Sequence, residues 1–401
     1  MRIALVVPEF PPETVGGGGA VFAALAEQYR HESEVRVYAG AGWSRRVPHP
    51  SGSRGTGASV PPGVNRYNLM VDPLRLPELR SVMPPRFRSL WALNHDLKEF
   101  HPSVAHVHGL GHLFVDAAAS VLRHQRVPYV FTLHGVPVSP ARMMPPARLA
   151  YRAYARLLAA RTVGAACAVT AVSKSLRLPS SHRGLVWIPN GIGPTDVDAR
   201  AAQHIRALLD SCPPGRIVVA AAGRLAHSKG FDVLVDACGM IGSYRGTIAI
   251  AGEDSGELAV LRGRAQRLPP GMKLCLLGRL TQAEVAALFA RADVVVVPSR
   301  SEPFGLVGLE AIAVSARLVV TNVGGLGETF TGSVVPMVPP GRPELLARAI
   351  RDALAAGPLS DRERTDYARL LNAHSWQGIA RQYLTLLESC ARHDQQRAPD
   401  C

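Results

Sequence analysis

The chain has 401 residues, 47% of them apolar but only 6% aromatic; this exceeds what one core usually serves and builds cores from Ala, Val and Leu, so two domains are expected. Its formal charge of +14 rests almost entirely on arginine, with lysine only at Lys98, Lys174, Lys229 and Lys273, and the basic residues are not interleaved with aromatics as a base-stacking surface requires, which argues against a nucleic-acid partner. The opening MRIALVVPEF is broken by Pro8 and Glu9 too early for a secretory signal, and no apolar run reaches ~18 residues, so a soluble, cytoplasmic protein is expected.

Residues 2–7 (RIALVV) read as a buried strand, followed by a glycine-rich loop and a helical pattern from Ala20 to about Tyr29. Strand, loop and helix in that order open an α/β sheet, and Gly16 to Gly19 either allow backbone to approach a ligand closely or are simply flexible glycines before the helix. A second strand is predicted at Val35–Tyr38, then a Gly/Ser/Pro/Arg-rich loop over 41–63 and a proline-interrupted basic stretch over 72–88. That stretch reads as a solvated loop, with a peripheral membrane contact as the alternative. An amphipathic stretch, Ser89 to Phe100, leads to strand 104–109; His106 and His108 there read as structural histidines. Strand 127–135 ends in His134, placed at a carboxyl end where it faces a ligand and can donate to a hydroxyl or a developing charge, with a satisfied structural histidine as the alternative.

Between Asp116 and Asp196 there is no acidic residue. Arg142 lies in this stretch, and Arg148, Arg152 and Arg156 recur every four residues on one predicted helix face. They form either a solvated face or a surface recognising a phosphate or carboxylate on a substrate. AVTAVSKSL (168–176) reads as a strand entering a helix, and VWIPNGIGP (186–194) as a short strand running into a turn at which the first domain, residues 1–194, ends.

The second half repeats this grammar, with strands at 216–222, 247–253, 273–280 and Val294–Val297 alternating with helical stretches. Alternation of this kind implies a parallel sheet covered on both faces. Arg224 and Lys229 fall in the loop after the first of these strands, where they can bracket a diphosphate and neutralise charge on a leaving group, with two loop-surface cations as the alternative. After Val294–Val297 come Glu302, a Pro303–Gly305 turn and a helix carrying Glu310. The two acids lie ~12 Å apart along a helix axis, too far to share a proton but suited to gripping two ends of one extended ligand. The six cysteines, Cys167, Cys212, Cys238, Cys275, Cys390 and Cys401, form no CxxC pair and have no histidine at ligand spacing; they read as free thiols, and no metal site is expected.

The run VGGGG, FTLHG, VSKSL, IPNGI, GRLAHSKG, PSRSEPFGLVGLEA, VGGLGE and HSWQGIARQY, in this order and over nearly the whole chain, resembles the retaining nucleotide-sugar glycosyltransferases of family 4. The resemblance implies a GT-B fold, two Rossmann-like parallel-sheet domains facing a central cleft. The first would bind acceptor, residues 195–374 would bind donor, and a C-terminal helix at about 375–392 would return to the first domain. It implies that Arg224 and Lys229 hold the donor diphosphate, that Glu310 binds ribose hydroxyls and that Glu302 and His134 contact the transferred sugar. It further implies that Phe304, Gly305 and Leu306 offer backbone N–H groups, that Gly16 and Gly17 close over the phosphates, and that the edge at Arg279 and Leu280 receives the base. Two departures stand out: AIAVSARLVV replaces a Cys-Gly-x-Pro-like turn, and Arg342 stands where an aspartate is common.

The resemblance also implies transfer without metal or cofactor, from a UDP-sugar as the commonest donor, to a small-molecule or lipid-linked acceptor. With no carboxylate placed as a nucleophile, front-face substitution with retention is expected. A nucleotide-sugar 2-epimerase or hydrolase of the same fold and a non-catalytic nucleotide-sugar-binding protein are the alternatives. A dinucleotide oxidoreductase is disfavoured because no GxGxxG with a trailing acid is present.

Overall fold

A computed structural model of the chain describes residues 1–11, 18–40, 63–67, 87–135, 149, 153–154, 157, 160–176, 184–195, 197–210, 217–242 and 244–395. The loop read at 41–63 lies almost wholly outside these residues, as does most of the stretch at 72–88. The chain divides into two compact units. One comprises 1–172, 176–191 and 376–401, and the other comprises 173–175 and 192–375.

In the first unit the chain runs β1 (Arg2–Val7), α1 (Gly18–Arg30), β2 (Glu34–Gly40), β3 (Val64–Tyr67), α2 (Phe87–Phe100), β4 (Val104–His108), α3 (Leu113–His124), β5 (Tyr129–Leu133), α4 (Ala160–Gly164), β6 (Ala168–Ala171) and β7 (Leu185–Trp187). Its sheet is parallel in the order β3-β2-β1-β4-β5-β6-β7. Every residue of β4 and β5 is buried, as expected of strands covered on both faces. The last helix of the chain, Trp376–Gln395, packs on α1, β4 and β5 of this same unit, and its Tyr383 ring lies 4.7 Å from His106.

The second unit runs α5 (Ala199–Asp210), β8 (Ile217–Ala222), a 3₁₀ turn (His227–Lys229), α6 (Phe231–Gly239), β9 (Gly246–Ala251), α7 (Leu258–Ala265), β10 (Met272–Gly278) and α8 (Gln282–Arg291). It continues through β11 (Val294–Val297), α9 (Leu306–Ala313), β12 (Leu318–Thr321), α10 (Gly324–Phe330), β13 (Met337–Val338), α11 (Pro343–Ala355) and α12 (Asp361–Ala373), after which the final helix, α13, returns to the first unit. The parallel order β10-β9-β8-β11-β12-β13 repeats the pattern of the first sheet. In both, strand order reverses beside the first strand of the unit, and open α/β sheets bind ligands at the carboxyl ends there. In the second unit that point falls between β8 and β11. Reciprocal capping boxes start α8 (Thr281 with Glu284) and α12 (Ser360 with Glu363), fixing where each of these helices begins.

Three expectations change. VSKSL does not continue β6 into a helix within the described residues: Ser173–Ser175 form a turn belonging to the second unit, because Glu328 accepts from the backbone N–H groups of Lys174 (2.8 Å) and Ser175 (2.7 Å) and from Ser173 Oγ (3.0 Å). The short strand β3, which the sequence did not announce, extends the first sheet beyond β2. Cys275 is disulfide-bonded, while Cys167, Cys238 and Cys390 are not in disulfides.

Candidate functional site

The site in the second unit is built where β8 and β11 end. Beyond β8, Leu225 is buried while Arg224 beside it is exposed, and Lys229 closes the 3₁₀ turn. Beyond β11, Ser299 is buried and its carbonyl accepts from Thr321 Oγ1 at 2.6 Å. The two loops meet at Gly230, whose φ of +67° is open to glycine, and a Cβ there would stand 2.1 Å from the Pro298 carbonyl oxygen. Lys229 Nζ donates to Glu302 Oε2 at 2.5 Å, and Ser299 Oγ donates to the same oxygen at 3.2 Å. The cation expected at a diphosphate and the acid expected at a sugar are thus in direct contact.

Gly305, with φ of +90°, turns the chain into α9, which has no side-chain cap at that end. A helix start of this kind, with no side-chain acceptor for its first backbone N–H groups, suits a negatively polarised ligand atom. Leu306 is the first residue of this helix, and the buried Phe304 ring packs 5.8 Å from that of His374. Glu310 lies on the same helix, partly buried, and accepts no hydrogen bond among the described residues. Burial pushes its carboxyl up to about 7. Arg279 and Leu280 follow β10, with Arg279 exposed.

Sequence reasoning missed the support of this site. Arg300 grips Asp232 through both oxygens (2.6 and 2.7 Å) and also donates to the His227 carbonyl at 2.9 Å. Burial pushes the Asp232 carboxyl up, but Arg300 and Arg264 outweigh it and hold the group below the usual aspartate range. The signal available in the sequence was an Arg in the loop beside Glu302 and an Asp in the helix start just after Lys229, whose pairing spacing alone does not reveal.

In the first unit, His134 follows β5, and its Nε2 lies 2.8 Å from His108 Nδ1. The Phe22 ring meets its edge at 5.3 Å. Burial holds His134 near a pKa of about 4, and His106 and His108 are also well below the usual histidine value, by burial first and then by neighbouring imidazoles. All three are therefore neutral at pH 7. His106 is satisfied on both ring nitrogens, by Tyr29 Oη (2.9 Å) and Thr132 Oγ1 (2.7 Å). Gly16, Gly17, Arg142, Arg148 and Arg152 lie outside the described residues. Among the described residues no group of three His, Cys, Asp or Glu is arranged to hold a metal ion, and no helix is long and apolar enough to cross a membrane.

Two family descriptions match the two halves of the chain: Glycosyltransferase Family 4 over residues 15–195 and Glycosyl transferases group 1 over residues 211–369. With two parallel-sheet α/β domains carrying these matches, the chain belongs to the glycosyltransferases of GT-B fold. It is similar to glycogen synthase of Mycobacterium tuberculosis, 33% identical over 182 residues, which is 44% of this chain and 44% of that protein. The chain thus matches under half the length of that relative. An uncharacterized glycosyltransferase of Methanocaldococcus jannaschii is 27% identical over 359 residues, 83% of this chain and 84% of the relative. Among solved structures, Anabaena HepE in complex with UDP and glucose superposes with a TM-score of 0.68 at 19% identity, covering 97% of this chain and all of that one; at this identity the likeness is one of fold.

Proposed function

We propose that the protein is a retaining glycosyltransferase that moves a hexose-type sugar from a nucleoside diphosphate donor, a UDP-sugar, to an acceptor hydroxyl on a small or lipid-linked molecule. The observation that carries this reading is the meeting of Lys229 and Glu302 at the carboxyl ends of β8 and β11, one helix start away from the Glu310 carboxyl, which has no hydrogen-bond partner among the described residues. Lys229 and Arg224 neutralise the departing diphosphate, aided by the uncapped start of α9. Glu310 accepts from ribose hydroxyls, Glu302 engages the sugar, and the edge at Arg279 and Leu280 takes the base. His134 serves as a neutral hydrogen-bonding partner of a sugar hydroxyl. The UDP held by the Anabaena structure supports the choice of base.

In the proposed step the acceptor oxygen bonds to the anomeric carbon on the face from which the diphosphate oxygen leaves. The acceptor's proton passes to that departing oxygen, so configuration is kept without an enzyme nucleophile. The test is a donor screen with UDP-, GDP- and ADP-sugars, scoring release of free nucleotide with and without acceptor. Lys229→Ala is expected to lower turnover roughly 100-fold. Turnover untouched by that change, or none with any donor, would overturn the reading.

A further inference from the structure

We propose that Arg300 is a positioning residue for Lys229, fixing the turn that aims its ammonium at the diphosphate of the donor; this rests on the nucleotide-sugar reading above. Lys229 ends a 3₁₀ turn of only three residues with no side-chain cap, closed internally by its own N–H to the Ala226 carbonyl at 2.8 Å and by Gly230 N–H to the His227 carbonyl at 3.2 Å. A 3₁₀ turn this short has poorer hydrogen-bond geometry than an α-helix and gains from outside support. That support comes from the opposite loop. The backbone N–H groups of Arg300 and Ser301 both donate to the Ser228 carbonyl (2.8 and 3.2 Å), and the Arg300 Nη1 donates to the His227 carbonyl (2.9 Å).

The guanidinium is itself immobilised. Both of its terminal nitrogens are bonded to the buried Asp232 carboxylate, which Arg264 approaches from a third element at 3.6 Å. Asp232 is the second residue of α6, directly after the Lys229–Gly230 turn. Arg300 therefore bridges the two sides of that turn, the His227 carbonyl before it and Asp232 after it. A planar fork with several fixed donors meets both acceptors together, whereas a lysine ammonium, a single point charge on a flexible stem, cannot hold that geometry. Because the same loop carries Glu302, the bridge also fixes the lysine against its own carboxylate partner.

Arg300 has a second chemically reasonable role, direct contact with phosphate, and a double-mutant cycle separates the two. Binding of UDP, GDP and ADP to the full chain would be measured by calorimetry for the wild type, Arg300→Lys, Arg300→Met, Lys229→Met and the Arg300→Met/Lys229→Met double variant. The expected result is that Arg300→Lys and Arg300→Met each weaken binding of the best nucleotide roughly tenfold, as small misplacements of a binding group do. In the Lys229→Met background, Arg300→Met should change binding less than about twofold. Thermal unfolding of Arg300→Lys, run alongside, should show a folded protein. Losses that add in the double variant, or wild-type affinity in Arg300→Lys, would overturn the positioning role while leaving the donor reading intact. Failure of the wild type to bind any of the three nucleotides would sink the donor reading itself, and this proposal with it.

Discussion

Lys229 and Glu302 are ion-paired at 2.5 Å, with little of either side chain exposed. A diphosphate must therefore compete with Glu302 for the ammonium. Glu302→Gln removes the competing charge and keeps the shape, so it should bind the bare nucleoside diphosphate more tightly, by roughly three- to tenfold, because a partly desolvated cation without its partner gains more from a new anion. Sugar transfer should fall, since the carboxylate proposed to engage the sugar is lost. Calorimetry with the free nucleotide beside donor turnover checks both directions. Weaker nucleotide binding in Glu302→Gln would contradict the competition.

Glu310 gives the second unit an unusual pH dependence. Burial raises its folded-state pKa to about 7, above the ordinary glutamate value of roughly 4.3 in the unfolded chain. The unfolded chain then loses this proton first as pH rises, so stability falls between about pH 4.5 and 7 and levels off above that. Glu310→Gln should thus stabilise the protein by about 1–3 kcal/mol at pH 8 and by almost nothing at pH 4, the range discounted for partial exposure. Urea unfolding at the two pH values reads the difference.

Much of this site is visible in the sequence because its charges sit where local pattern fixes them: after a strand of valines, beside a glycine turn, at a helix start. Arg224, Lys229, Glu302 and Glu310 follow from that pattern. What holds them does not. The Arg300–Asp232 bridge joins positions 68 residues apart, and the capture of the Ser173–Ser175 turn by Glu328 spans more than 150. Nothing in periodicity or spacing ties such partners together. β3 escaped notice for a different reason: four residues, Val64–Tyr67, give too short an alternation to stand out from the loop before them.

The first unit should respond to acid in the opposite sense. His106, His108 and His134 are neutral because burial lowers their folded pKa values, His134 to about 4. Their stabilisation is complete above the unfolded value of roughly 6.5 and is lost as pH falls below it, at up to about 1.4 kcal/mol per imidazole per pH unit. At pH 5.5 the unit should be weaker than at pH 7.5 by roughly 3–4 kcal/mol. Hydrogen exchange at the amides of β4 and β5 would show it, once the intrinsic pH dependence of exchange is divided out. Protection unchanged across that range would mean these imidazoles are hydrated in solution.

Arg126 offers a stabilising change away from the candidate site. It sits past the end of α3 with φ of +56°, and its neighbour's N–H, that of Val127, reaches back to the Leu122 carbonyl at 2.9 Å, a closure that favours glycine in the left-handed position. The arginine side chain is exposed, so removing it costs little packing. Arg126→Gly should raise stability by about 0.5–1 kcal/mol, because relief of the left-handed backbone outweighs the added freedom of glycine in the unfolded chain. Arg126→Ala serves as the control: it removes the same side chain but keeps the strained φ, and should gain nothing. Urea midpoints of the three proteins decide the matter, and a gain in Arg126→Ala equal to that in Arg126→Gly would assign the effect to charge rather than backbone.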